Sequence, residues 1–335
     1  MTAISEAFEM IRMISGGLYL THSLYVAARL GVADLLIPGP QTATELAGAA
    51  GVHAPSLHRV MRALASVGVF TEDPDGRFAL TARGRLLASG PGSLRSVAMG
   101  IGAPWHTRVW ESLLHTVQTG ETAWDHATGE SLFQYFASHP EHAALFDGMM
   151  TEFSVWEAAA VAEAYDFTGI HTTADIAGGH GWLLATILQR YPTMRGILFD
   201  LPHVTSGAGS ALSSHALNGR CEVISGDMFH CVPGGADAYL LKNVLHDWDD
   251  VQAAKILSSV RRAMPPGSRI LVIQEALPLG GAPSAGKLLD MQMLLIGGKE
   301  RTHGEYEQLF AQAGLRLTRL IPTAAPVHVI EGAPA

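Results

Sequence analysis

At 335 residues the chain has room for about two domains at the usual ~150 residues each, and the 48% of it that is apolar can build a sizeable core. A formal net charge of -9 opposes non-specific attachment to nucleic acid phosphates, and no apolar run approaches the ~18 residues that span a bilayer. The opening residues lack the basic-then-apolar order of a secretory signal. Two cysteines, Cys221 and Cys231, give neither a disulfide framework nor CxxC metal spacing, so a cytoplasmic protein is expected.

In chain order, residues 10–90 read as short helices followed by a hairpin. Thr42 and Glu45 have capping-box spacing, and Gly51 breaks the helix they start. Leu57, Val60, Met61 and Leu64 recur at helical spacing, and Asp75-Gly76 signals a tight turn between two β-rich stretches. Helix, turn, helix and hairpin make a winged helix, expected over residues 1–100. Residues 101–165 form a helical linker rich in aromatic side chains. From 166 to 335 short apolar runs alternate with helical stretches, at 172–177, 196–200, 221–225, 238–241 and 269–273. Two last runs, 315–321 and 327–330, are joined too closely for a parallel crossover and are expected to form an antiparallel hairpin. The expected fold is α/β: a Rossmann-like, mostly parallel sheet with helices on both faces, behind a mainly helical N-terminal domain.

The sequence Asp175-Ile-Ala-Gly-Gly-His-Gly181 follows the first strand of that sheet and precedes a helix, where a ligand can approach the backbone closely. Gly179 and Gly181 fit a dinucleotide fingerprint, but Leu184 holds its third glycine position, against a pyrophosphate cradle. Asp200 ends the next strand and can accept from ribose hydroxyls; it equally suits a strand-end turn or a helix cap. Gly226-Asp227-Met228-Phe229 ends the third strand, where a carboxylate can accept from an adenine amino group and a thioether can pack on the ring. Lys242 ends the fourth. Suitable groups at consecutive strand ends point to an adenosyl cofactor.

These residues resemble a known family, the S-adenosylmethionine-dependent small-molecule O-methyltransferases of plant caffeic acid and isoflavone type, with bacterial natural-product relatives. ADIAGGHG at 174–181, FDLPHV at 199–204, GDMF at 226–229, LLKNVLHDWDD at 240–250 and GGKERT at 297–302 carry the resemblance, which covers essentially the whole chain. It implies a cofactor set of Asp175, Gly178, Gly179, Gly181, Asp200, Leu201, Gly226, Asp227, Met228, Phe229, Lys242 and Trp248, with Ala177 where the family usually has a glycine. It implies His246 as the base that removes a hydroxyl proton, since an imidazole near pKa 6.5 is matched to that task. Glu275 and Glu300 are expected to flank the histidine, and Asp247 to help place the substrate hydroxyl or the sulfonium end. Asp249 and Asp250 beside Asp247 could be imagined as metal ligands, but HDWDD matches the metal-free family, so no metal is expected.

Phe146, Met149, Met150, Phe153 and Trp156 form a helical stripe. Such a stripe is ordinary core by periodicity alone; the resemblance implies instead one wall of an acceptor pocket, with Met291 and Met293 on the other. A small hydroxylated aromatic or polyketide-like acceptor is implied, in a homodimer that binds neither nucleic acid nor membrane. Two rivals remain. One is methyl transfer to nitrogen or carbon on the same fold. The other is a ligand-sensing DNA-binding regulator with His58, Arg59 and Arg62 on its recognition helix, which the net acidity opposes.

Overall fold

The structure is a computed structural model that describes residues 3–214, 217 and 219–335. It divides into two compact units, Met1–Glu111 with Phe136–Phe153, and Ser112–Tyr135 with Ser154–Ala335. The helix Pro140–Ala164 therefore contributes residues to both.

The first unit is built as its sequence signals demand. Helix Ala43–Ala50 begins with Thr42, whose hydroxyl accepts the Glu45 N–H while the Glu45 carboxylate accepts the Thr42 N–H, and it ends at Gly51 with φ 68°. Helix Ala54–Ser66 buries Leu57, Met61 and Leu64 on one face. Strand β1 (Gln41–Thr42) pairs with β3 (Arg77–Leu80), which pairs in turn with β2 (Phe70–Glu72), all antiparallel. The β2–β3 turn closes where the Asp73 carboxylate accepts the N–H groups of Asp75 and Arg77, with Gly76 at φ 73°. Leu46, Met61, Leu64, Phe70 and Phe78 fill this core.

The second unit carries a seven-stranded sheet of β4 (Thr172–Ile176), β5 (Arg195–Asp200), β6 (Cys221–Ser225), β7 (Ala238–Lys242), β8 (Arg269–Gln274), β11 (Leu315–Pro322) and β12 (His328–Pro334). A separate parallel pair, β9 (Ala276–Leu277) and β10 (Arg301–Thr302), is too short to register in a sequence pattern. The order across the large sheet is β11-β12-β8-β7-β4-β5-β6. Strands β4 to β8 run parallel, and β12 and β11 fold back antiparallel, as the short connection between them requires. Both faces are apolar because helices cover both. Along β7, Tyr239 and Leu241 enter one core cluster while Ala238 and Leu240 enter the other. Strand order reverses at β4, which lies between β5 and β7 and puts the crevice for a ligand at its C-terminal end.

Candidate active site

The loop leaving β4 is held open by backbone geometry. Ala177, Gly179 and Gly181 have φ of 54°, 59° and 79°, and Gly181 caps helix Trp182–Arg190. Gly178 admits no side chain, since a Cβ there would stand 2.6 Å from the Asp175 carboxyl carbon. Asp175 is 1% exposed, and neither of its carboxylate oxygens has a hydrogen-bond partner. Burial pushes it up to about 7, with Lys242 opposing the rise and Asp200 adding to it; the Leu184 N–H lends a weak assist from beyond bonding geometry.

The neighbouring strand tips carry the other expected groups. The two oxygens of Asp200 accept the Gly179 N–H at 2.8 Å and the Leu201 N–H at 2.7 Å, so this carboxylate shapes the glycine loop. After β6, Asp227 accepts the Phe229 N–H at 2.8 Å and faces His230 at 2.9 Å, while Met228 and Phe229 pack on the core. Trp248 meets Phe229 edge-on with centroids 4.8 Å apart and stacks on Phe133 at 6.0 Å. Lys242, at the tip of β7, gives its ammonium to Glu157 at 2.9 Å.

His246 sits on a short 3-10 turn, Leu245–Asp247, and is buried. Its Nδ1 lies 2.5 Å from Glu300 Oε1, and its Nε2 lies 3.6 Å from Asp247 Oδ1. A carboxylate can only accept, so the Nδ1–H tautomer is fixed and Nε2 is left as the proton acceptor. Burial alone would lower the imidazole pKa; Asp247 and Glu300 more than offset it, and the result lies above 6.5. Burial lifts Asp247 to about 6, with His246 pulling the other way.

The GGKERT segment holds this turn in place. The Lys299 N–H donates to the His246 carbonyl at 2.8 Å, and a Cβ on Gly298 would run into that same carbonyl. Arg301, wholly buried, donates to the carbonyls of Leu245 at 2.8 Å and Trp248 at 2.9 Å and pairs with Asp250. Asp290 accepts the Glu300 N–H at 2.7 Å.

Glu275, expected beside His246, follows the last residue of β8. Its carboxylate accepts the Ser284 hydroxyl at 2.5 Å and packs against Gly286, and the imidazole it acts on is His328. The expected acceptor wall falls in both units. Phe146, Met149, Met150 and Phe153 belong to the first, where Met149 is buried against Gly100 and Phe146 packs on Phe136 at 4.8 Å. Trp156, Met291 and Met293 belong to the second; Trp156 is exposed and Met293 buried. Arg301, Asp290, Asn243 and Glu157 were not singled out from the sequence. Arg301 and Asn243 carried a signal, their places within GGKERT and LLKNVLHDWDD.

Comparison with known proteins decides the family. An O-methyltransferase domain matches residues 110–316, and an O-methyltransferase dimerisation domain matches 13–90. The chain belongs to the O-methyltransferases. It is 44% identical over 334 residues to a phenazine O-methyltransferase of Lysobacter antibioticus, covering 99% of this chain and 97% of that protein. It is 41% identical to a mitomycin biosynthesis 6-O-methyltransferase of Streptomyces lavendulae, covering 98% and 95% respectively. Among solved structures, CalO1, a methyltransferase of calicheamicin biosynthesis in its SAH-bound form, superposes with a TM-score of 0.88 at 35% identity over 100% of both chains. N-methyltransferases occur among the relatives as well.

This O-methyltransferase uses S-adenosylmethionine, and its own residues fit that cofactor. The loop after β4 offers bare backbone at Gly178 and Gly179, and beside it lies a buried carboxylate without a partner. Among the described residues no group of three or more His, Cys, Asp or Glu side chains is placed to hold a metal ion. Nor is any described helix long and apolar enough to cross a membrane.

Proposed function

We propose that this O-methyltransferase methylates a hydroxyl of a small planar aromatic or polyketide-like molecule, with His246 Nε2 taking the proton. The supporting observation is the Glu300–His246 hydrogen bond, which leaves one lone pair free on a buried imidazole. Bound S-adenosylmethionine supplies a methyl group on a positively charged sulfur. A phenol of pKa ≈ 10 is a poor nucleophile at neutral pH, and His246 removes its proton as the oxygen attacks. The imidazolium that forms is stabilised by Glu300 on one side and Asp247 on the other. Asp175, the 177–181 loop, Asp200, Asp227, Met228 and Lys242 are read as the cofactor-binding set, and the methionine and aromatic positions named above as acceptor contacts.

The same reading includes a homodimer in the cytoplasm. Helix Ala3–Arg29 exposes Ile4, Phe8, Ile11, Ile14, Leu18 and Tyr19, each by more than half, along the segment where the dimerisation match begins. A second copy is the partner that covers such a face, and light scattering reads its mass directly.

A mass-detected assay with labelled cofactor and a panel of phenols tests the reaction. His246→Asn is expected to lower turnover by roughly 10²–10⁴ with SAH binding unchanged. The rate with the parent enzyme rises with pH through the raised imidazole pKa, because only the neutral ring accepts a proton. Turnover of a phenol that survived His246→Asn would mean that positioning alone drives the reaction; an amine acceptor attacks through a lone pair already free, so turnover confined to amines would favour the N-methyltransferase reading.

A further inference from the structure

Glu157 lies on helix Pro140–Ala164, outside every motif that carries the family resemblance, yet it organises the charged tip of β7. One of its oxygens, Oε2, accepts from Lys242 Nζ at 2.9 Å and from Asn243 Nδ2 at 3.0 Å. Glu157 and Lys242 are each 13% exposed as side chains, so the pair is shielded from water and strong for an ion pair. Asn243 takes the left-handed conformation, φ 53°, which lets its amide turn back onto the same carboxylate. Beyond Lys242, on the adjacent strand, lies Asp175, buried and without a hydrogen-bond partner although it feels the charge of Lys242.

Left to itself, a shielded ammonium next to an unpartnered carboxylate would pair with it. The bond from Glu157 prevents that, and both groups stay available to a ligand at the point where the strand order reverses. We infer that Glu157 is a positioning residue for cofactor recognition: it holds Lys242 off Asp175 so that the two groups can read the zwitterionic amino-acid end of the adenosyl cofactor. The inference rests on the reading of these strand tips as the cofactor site. It adds a residue and a division of labour, with Lys242 for the cofactor carboxylate and Asp175 for its ammonium.

Calorimetry with two ligands tests it. S-adenosylhomocysteine carries the amino-acid end, whereas 5′-methylthioadenosine has the same nucleoside and thioether without it. Glu157→Gln is expected to weaken S-adenosylhomocysteine by about tenfold or more, the effect of losing ~1.4 kcal/mol, and to leave 5′-methylthioadenosine within about twofold of the parent affinity. Unchanged methylthioadenosine binding also reports that the variant is folded. In a Lys242→Met background the same substitution should have no further effect, because it acts through that lysine. Glu157→Asp, which keeps the charge, should restore part of the loss. Equal weakening of both ligands, no weakening of either, or a full effect persisting without Lys242 overturns the proposal. A parent protein that binds neither ligand overturns the cofactor-site reading with it.

Discussion

Two buried carboxylates of the sheet unit have been treated in opposite ways. Glu331, near the free edge on β12, accepts from the Tyr165 hydroxyl at 2.6 Å, Thr318 at 2.8 Å and the Arg319 guanidinium at 2.5 Å, with Arg269 at 3.7 Å. Burial would raise its pKa, but Arg319, Tyr165 and Thr318 outweigh burial and hold it at about 2. Asp175, at the centre of the sheet, accepts no hydrogen bond and is lifted to about 7. A carboxylate placed for stability is saturated with donors. One placed for a ligand is left wanting them, and the fold carries the cost until the ligand arrives.

The largest test of this contrast is Asp175→Asn. A folded pKa of about 7 against an ordinary value of 3.8 means that the native state holds a proton the unfolded chain has released. Stability of the cofactor-free protein therefore falls as pH rises from about 4 to about 7, by on the order of 4 kcal/mol at 1.36 kcal/mol per unit. The neutral amide removes that slope, so the variant should be more stable than the parent at pH 8 by a similar amount. It should also bind S-adenosylhomocysteine less well. Urea melts across the pH range check the first half; a steep slope surviving in the variant would mean that the strain lies elsewhere.

Glu331→Gln should do the reverse and by less. Its folded pKa of about 2 lies below the ordinary value of 4.5, so the stabilisation is present above 4.5 and is lost as pH falls towards 2. The Arg319 side chain is 54% exposed, and solvent screens much of its pairing. A loss of about 2 kcal/mol at pH 7 is expected, shrinking in acid, with cofactor affinity and turnover untouched. A variant that lost cofactor affinity too would break the division between structural and functional carboxylates.

Which of these features could be read from the sequence depends on how local their causes are. Thr42, Glu45, Gly51, Asp75 and Gly76 act within a few residues, and the structure uses each as read. The parallel sheet and its antiparallel end follow from connection lengths. His246, Asp247 and Glu300 lie in strings that the family resemblance marks, and the fold brings the three together. Glu157 could not be found this way, because its partner is 85 residues distant and its helix reads only as an apolar and aromatic stripe. Glu275 was readable as an acid after a strand, but its hydrogen bond from Ser284, nine residues on, was not. A side chain's direction past the end of a strand is set by tertiary packing, where alternation no longer applies.

The smallest effect is the most discriminating. Ala177 and Asn243, the residues following β4 and β7, have nearly the same left-handed φ, 54° and 53°. For a residue with a Cβ that conformation costs roughly 1–2 kcal/mol, and glycine relieves it while returning about 0.4–1 kcal/mol of chain entropy to the unfolded state. At Ala177 the side chain makes no hydrogen bond, so Ala177→Gly should come out stabilising by about 0.5 kcal/mol after its packed methyl is subtracted. Asparagine tolerates the conformation better than alanine, and Asn243 also bonds to Glu157. Asn243→Gly should therefore destabilise by about 1 kcal/mol or more. Equal φ with opposite signs of ΔΔG would show that the strain at β4 is carried for the ligand, whereas the strain at β7 is repaid within the fold by Glu157. Two shifts of the same sign, measured as denaturation midpoints at one pH, would remove that distinction.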